Sequence, residues 1–131
     1  KKGELLAAQY DEYKVSDDVR VNGKLTLGEN IADLGGLVIA WDAYQKHLKK
    51  TVRKNIDGFS PEERFFLGFA QQERELSTPE FEKMHALTNP HSPAEFRING
   101  PLANFEPFYE IYKVEKRDRL YREPKNRSRI W

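Results

Sequence analysis

Residues 21–48 read VNGKLTLGENIADLGGLVIAWDAYQKHL. Leu27, Ile31, Leu34, Val38, Trp41 and Leu48 fall at steps of four, three, four, three and seven, the spacing of one apolar helix face. The pattern predicts one long helix from about Thr26 to Lys50. Its opposite side carries Glu29, Ala32, Asp33, Gly36 and Ala40, with Gly35 beside them. A glycine inside a helix costs about 1 kcal/mol relative to alanine, so the Gly35-Gly36 pair calls for a compensating backbone packed against the small side chains. The expectation is a helix buried on both sides. Glu29 and Asp33, four residues apart and therefore on one face, would sit near a tight helix–helix contact. Buried acids need a metal, a histidine, an arginine or backbone donors as partners.

A structural role competes with a chemical one for these acids. Thr26-Leu27-Gly28-Glu29 fits a capping box, in which Thr26 caps the helix and Glu29 reaches back to the cap. Asp33, one turn in, suits the positive end of the helix dipole. The residues alone leave capping and a metal or catalytic role both open.

Composition sets the outer bounds. The 131 residues suffice for one domain with a modest core, and no boundary falls inside the chain. Charged residues make up 33% and the net charge is +1, which argues against strong attraction to nucleic acid or a membrane surface. No apolar run is long enough to span a bilayer, and the opening residues do not read as a signal peptide. With no cysteine there is neither a disulfide framework nor a thiolate metal site. The chain opens at Lys1-Lys2-Gly3 with helix-like sequence already under way, which predicts a segment of something longer.

Other elements follow from local signals. Glu4 to Tyr13 reads as a helix with Leu5, Leu6, Tyr10 and Tyr13 as its apolar positions. Asn22-Gly23 predicts a tight turn, at most a short hairpin near Val19–Leu27. His47, among lysines at the end of the long helix, reads as a surface residue. Asp57-Gly58 closes a loop, and Ser60-Pro61-Glu62-Glu63 is a complete helix start. Phe65, Phe66, Phe69 and Leu76 read as core, as do Phe81, Met84 and Leu87 of a helix opened by Thr78-Pro79, with His85 exposed. Phe96, Ile98, Leu102, Phe105 and Phe108 also read as core, and Gly100-Pro101 as a turn. The fold class is mainly α.

Asn89-Pro90-His91-Ser92-Pro93 holds a histidine between two prolines. Neither proline has an N–H, and each biases the residue before it away from helix. Such a stiff, extended backbone suits an imidazole that must stay in place, although the residues alone favour a surface loop histidine. Arg97 is open to a substrate-binding or a salt-bridge role. Lys113 to Trp131 carries eight Lys/Arg against three Asp/Glu with Tyr121 and Trp131 interleaved, but no groove-reading motif.

NGKLTLGENIADLGGL resembles the stretch of the neprilysin and endothelin-converting-enzyme family of zinc endopeptidases (gluzincins) that carries the third zinc ligand. HSPAEFRINGPLAN resembles the same family's second signature. Gln9-Tyr10-Asp11-Glu12-Tyr13, FFLGFAQ and the terminal Arg129-Ile130-Trp131 extend the likeness along nearly the whole chain. The resemblance implies that Glu29 ligates Zn2+ and that Asp33 orients a zinc-binding histidine. It implies that His91 stabilises the tetrahedral transition state and that Arg97 binds a primed-side carbonyl of a peptide substrate. A zinc site with two histidines and a glutamate, backed by carboxylates, is physically consistent with this.

Three departures qualify the likeness. The His-Glu-x-x-His helix is absent, since His47, His85 and His91 are the only histidines. The chain is therefore expected to be the C-terminal helical part of a thermolysin-like zinc peptidase catalytic domain. Alone it would be inactive and open to self-association, and its partner would be the remainder of its own domain. Gln72-Glu73-Arg74 stands where family members often carry Val-Trp or a cysteine, which puts local packing in question. Ser128 stands near where secreted animal members carry a cysteine, which favours a bacterial-type member in a periplasmic, surface-anchored or cytoplasmic setting. The rival reading is a non-catalytic helical module that binds another protein through the Gly35/Gly36 face.

Overall fold

A computed structural model describes residues 2–130. Six helices follow in order: α1 (Lys2–Asp11), α2 (Leu27–Leu48), α3 (Pro61–Gln71), α4 (Pro79–Thr88), α5 (Ala94–Leu102) and α6 (Glu106–Tyr112), then a 3-10 turn at Pro124–Asn126. Among the described residues there is no strand, only isolated antiparallel bridges at Lys14–Arg20 and Ile56–Phe59. The fold is mainly α. Trp131 lies outside the described residues.

The apolar stripe of α2 organises two adjoining cores. Its first half, with Leu34 buried and Leu27 and Ile31 partly so, packs with Leu6 and Tyr10 of α1, Val21, and Phe96 of α5. Its second half, with Leu37 buried and Val38 and Trp41 beside it, packs with Phe66 of α3, Ile98 and Leu102 of α5, and Phe105. Each such side chain removed from water contributes about 1.5–3 kcal/mol, so α2 is held mainly by this stripe.

α1 is pinned to α5 by polar groups that are themselves fully buried. Gln9 Nε2 donates to the Gly100 carbonyl (3.0 Å), and Gln9 Oε1 accepts from Asn104 Nδ2 (2.7 Å). Tyr10 Oη donates to the Phe96 carbonyl (3.2 Å), and burial holds its hydroxyl far above the usual phenol range. Gly100 makes this approach possible, because a Cβ there would lie 2.1 Å from Tyr10 Oη. Gly100 and Pro101 do not form the expected turn. They complete the last turn of α5, with the Gly100 carbonyl taken by the side chains of Gln9 and Asn104.

The turn expected at Asn22-Gly23 forms, over residues 23–25, but without a hairpin. The antiparallel bridge lies earlier, at Lys14–Arg20, so 19–27 is not a hairpin. Gly23 is required for close approach: a Cβ there would lie 2.0 Å from the Ala7 carbonyl oxygen, and its N–H donates to Asp11 Oδ1 (2.7 Å). Asn22 instead leads directly into α2, its carbonyl accepting from the Thr26 N–H (3.1 Å) and hydroxyl (3.0 Å). At Ser60 the capping box forms as expected, with Glu63 N to Ser60 Oγ at 3.1 Å and Ser60 N to Glu63 Oε2 at 2.7 Å.

Burial on both sides of α2 is not found among the described residues. Gly35 is buried, but a Cβ on Gly36 would meet nothing within 4 Å, and Ala32, Ile39 and Ala40 are exposed. α1, α3 and α5 cover one side only. Leu76 is fully exposed because α3 ends at Gln71. Phe81, Met84 and Leu87 also point outward, and Ala86 is the buried position of α4.

The two glycines predict opposite responses to alanine. In the 131-residue segment, Gly36→Ala should stabilise by about 0.5–1 kcal/mol by removing a helix-interior glycine from open space. Gly23→Ala should destabilise by about 1–3 kcal/mol through overpacking against the α1 backbone. Urea unfolding midpoints check both.

Candidate functional site

Glu29 and Asp33 stand one turn apart on α2, and the segment 89–97 runs alongside them. His91 precedes α5 by three residues, and Arg97 lies within its first turns. The four residues singled out from the sequence meet here as two adjacent pairs. Glu29 Oε2 is 3.2 Å from His91 Nε2. Arg97 grips Asp33 at two points, Nε to Oδ2 at 2.9 Å and Nη2 to Oδ1 at 2.8 Å. Such a two-point, charge-assisted contact fixes the guanidinium plane. Its hydrogen bonds with Asp33 raise the Arg97 pKa above its ordinary value, with desolvation opposing.

The capping reading of Glu29 fails. Thr26 makes no side-chain cap hydrogen bond. Its hydroxyl donates to the Asn22 carbonyl and accepts from Asn30 Nδ2 (2.9 Å). Glu29 is thereby free to turn toward His91. Asp33 serves Arg97 rather than a histidine of this segment.

Six further residues, Thr26, Asn30, Glu73, His85, Asn89 and Ser92, shape the site. Ser92 Oγ donates to Asn30 Oδ1 (2.8 Å), and Thr26, Asn30 and Ser92 are all essentially inaccessible to solvent. This ladder bolts the residue after His91 to the residue after Glu29. Asn30 had a readable signal: it falls three residues after Leu27 and four before Leu34, a polar side chain on the apolar stripe. Asn89 Oδ1 accepts from both the backbone N–H of His91 (2.9 Å) and its Nδ1 (3.0 Å). Because a backbone N–H can only donate, the atom facing it is the amide oxygen, so Nδ1 carries a proton. His85, expected to be exposed, is half-buried with Nε2 3.0 Å from the His91 carbonyl, and steadies the loop from α4. Glu73, in the stretch after α3, lies 3.2 Å from Arg97 Nη1. Glu73, His85, His91, Ser92 and Arg97 share the wall of an open cavity of about 200 Å³.

Glu29 is suited to give one oxygen to a zinc ion. Its side chain is 42% exposed, with His91 against Oε2. Among the described residues no group of three or more His, Cys, Asp or Glu side chains converges on a metal position. A metal held at Glu29 would need its other ligands from outside the described residues.

An all-helical scaffold that carries carboxylate–histidine and carboxylate–arginine pairs along one edge matches the helical part of a metallopeptidase catalytic domain. The family Peptidase family M13 matches residues 1–128. Endothelin-converting enzyme 1 of Rattus norvegicus is 39% identical over 131 residues, covering 98% of this chain and 17% of that protein. Neprilysin-1 of Caenorhabditis elegans is 36% identical, covering 98% and 18%. The Mycobacterium tuberculosis zinc metalloprotease Zmp1, solved with an inhibitor, superposes with TM-score 0.93 at 39% identity, covering 99% of this chain and 21% of that one. PepO of Lactobacillus rhamnosis gives TM-score 0.80 at 30% identity, covering 99% and 19%. The chain belongs to the M13 peptidase family. It spans about a fifth of the length of these relatives.

Ser92→Ala leaves Asn30 Oδ1 buried without its donor. The expected cost is about 1–3 kcal/mol in urea unfolding. In NMR spectra the His91 ring resonances should also shift, as the loop loses its tie to α2.

Proposed function

We propose that this chain is part of a zinc-dependent endopeptidase that hydrolyses peptide bonds, and that Glu29, Asp33, His91 and Arg97 belong to its active site. The observation that carries the reading is the side-by-side placement of the Glu29–His91 and Arg97–Asp33 pairs in a segment of the M13 family. When bound, zinc supplies Lewis-acid polarisation of the scissile carbonyl and an activated water. Glu29 gives one of its ligands. The two histidine ligands and the general base come from a His-Glu-x-x-His helix elsewhere in the full protein.

The remaining roles belong to this chain's own groups. His91, its ring held by Asn89, presents Nε2 to the developing oxyanion. Arg97 offers the N–H groups not engaged by Asp33 and Glu73 to a substrate backbone carbonyl, in a fixed plane. Asp33 holds Arg97 and, through lone pairs the guanidinium leaves unused, orients a zinc-binding histidine.

The remainder of the catalytic domain is the natural partner of the open face of α2. Leu25, Gly28, Ala32, Gly36, Ile39 and Ala43 form an exposed, uncharged stripe directly beside Glu29. The same stripe supports the second reading, a non-catalytic module that docks on another protein. Zinc separates the two, because only the first requires Glu29 to bind it.

In the full-length protein, Glu29→Ala should abolish stoichiometric zinc binding and peptide hydrolysis, checked by metal analysis of the dialysed protein and by cleavage assays. Retention of one zinc per chain would remove Glu29 from the ligand set. Asp33→Ala should weaken zinc affinity about 10–100-fold, read by chelator competition. An unchanged affinity would confine Asp33 to holding Arg97.

His91→Phe should lower kcat about 10²–10³-fold with little change in KM, the signature of a group that acts on the transition state. Steady-state kinetics on one peptide substrate checks this. A rise in KM at constant kcat would make His91 a ground-state binding residue instead.

A further inference from the structure

Arg97 faces two carboxylates, and only one belongs to the helix that carries the candidate zinc ligand. Asp33 takes Nε and Nη2. Glu73 approaches Nη1 with both oxygens, Oε1 at 3.2 Å and Oε2 at 3.3 Å. Both acids are largely shielded, with 14% and 22% of their side chains exposed against 24% for Arg97, so water screens the cluster only in part.

Two consequences follow from the chemistry of a guanidinium. It has five N–H groups, and these contacts leave at least one on Nη2 unengaged. It carries one positive charge against two negative ones, so the cluster as a whole is anionic. A group with spare donors but no spare positive charge suits a neutral carbonyl. It is a poor receptor for a carboxylate, which would be held beside Asp33 and Glu73.

We propose that Glu73 is a specificity-determining residue. By offsetting the charge of Arg97 it makes the site accept an internal peptide carbonyl and reject a free C-terminal carboxylate at the same position. The proposal rests on the endopeptidase reading above and names a residue that enforces its preference for internal bonds. Glu73 also lines the cavity shared by His91 and Arg97, where such a substrate group would enter. Neighbouring Glu75 lines that cavity as well and adds to its negative character.

The test uses the full-length zinc-loaded enzyme and three blocked peptides. One extends several residues beyond the scissile bond. The other two end one residue beyond it, as the free acid and as the carboxamide. The wild type should prefer the amide over the acid by about tenfold in kcat/KM, the scale expected of one partly screened charge. Glu73→Gln, which keeps size and hydrogen bonding, should bring the acid close to parity and leave the amide little changed. Calorimetric binding of the acid and amide forms of the one-residue product should move in the same direction. Glu110→Gln, an exposed acid on α6, removes the same charge elsewhere and should leave the ratio as in the wild type.

An acid-to-amide ratio that Glu73→Gln does not shift, or that Glu110→Gln shifts equally, would overturn the assignment while cleavage of the long peptide upheld the peptidase reading. Failure to cleave even the long peptide would remove the peptidase reading and this inference with it.

Discussion

The geometry of the site depends on a short buried ladder of polar groups between α2 and the loop that enters α5. Thr26, Asn30 and Ser92 are sealed from water and satisfy one another at 2.8–2.9 Å. A buried donor or acceptor left without a partner costs about 1–3 kcal/mol, so the ladder admits one register of the loop against α2. A slip by one helical turn, about 5.4 Å, would orphan Asn30 and Ser92 and carry His91 away from Glu29. Apolar contacts alone would tolerate such a slip more readily, since a stripe of leucines and phenylalanines is nearly self-similar from turn to turn. The polar ladder supplies the specificity, and the stripe supplies most of the stability.

α5 is held from behind with equal care. Gln9 and Tyr10 of α1 hydrogen-bond its backbone at Gly100 and Phe96. Asn104 accepts from the backbone N–H of Ser128 at 2.7 Å, which brings the C-terminal segment over the same helix. Two of the eight basic residues of that segment, Arg122 and Arg127, turn inward. Arg127 pairs with Glu106 and lies over the Tyr109 ring at 3.6 Å, and Arg122 pairs with Glu12. Arg97 therefore projects from a helix clamped on two sides, and its two-point contact with Asp33 is made between rigid partners. Little side-chain freedom remains to be lost when a third group binds.

How far the sequence was legible tracks how local each signal was. The stripe from Leu27 to Leu48 and the capping box at Ser60 depend on spacing within one helix, and both appear as read. The grouping of Glu29, Asp33, His91 and Arg97 was legible only through family resemblance, because 62 residues separate Glu29 from His91 and no periodicity spans them. Thr26 and Glu29 mimic a capping box, yet Asn22, Asn30 and His91 offer better partners. Tertiary contacts decided between two locally sound alternatives. Asn22-Gly23 reads as a hairpin turn by composition, but Gly23 is there for the closeness of the α1 backbone, a long-range fact. Phe81, Met84 and Leu87 have core-like identity without a core to join in this segment.

The two faces of α2 explain why its glycines come as a pair. Gly35 lies on the covered side and Gly36 on the open one, so a single step in sequence turns from core to vacancy. Glu29 lies at the border between them, half-exposed and beside the uncharged stripe. Whatever packs on that stripe will also exclude water from the Glu29 and Asp33 carboxylates. Lower local dielectric strengthens every attraction these groups make and raises the cost of leaving them unpaired. A segment covering that stripe would therefore have to bring positive charge with it, as a bound cation or as cationic side chains. A purely apolar partner would bury Glu29 with His91 as its nearest counter-charge.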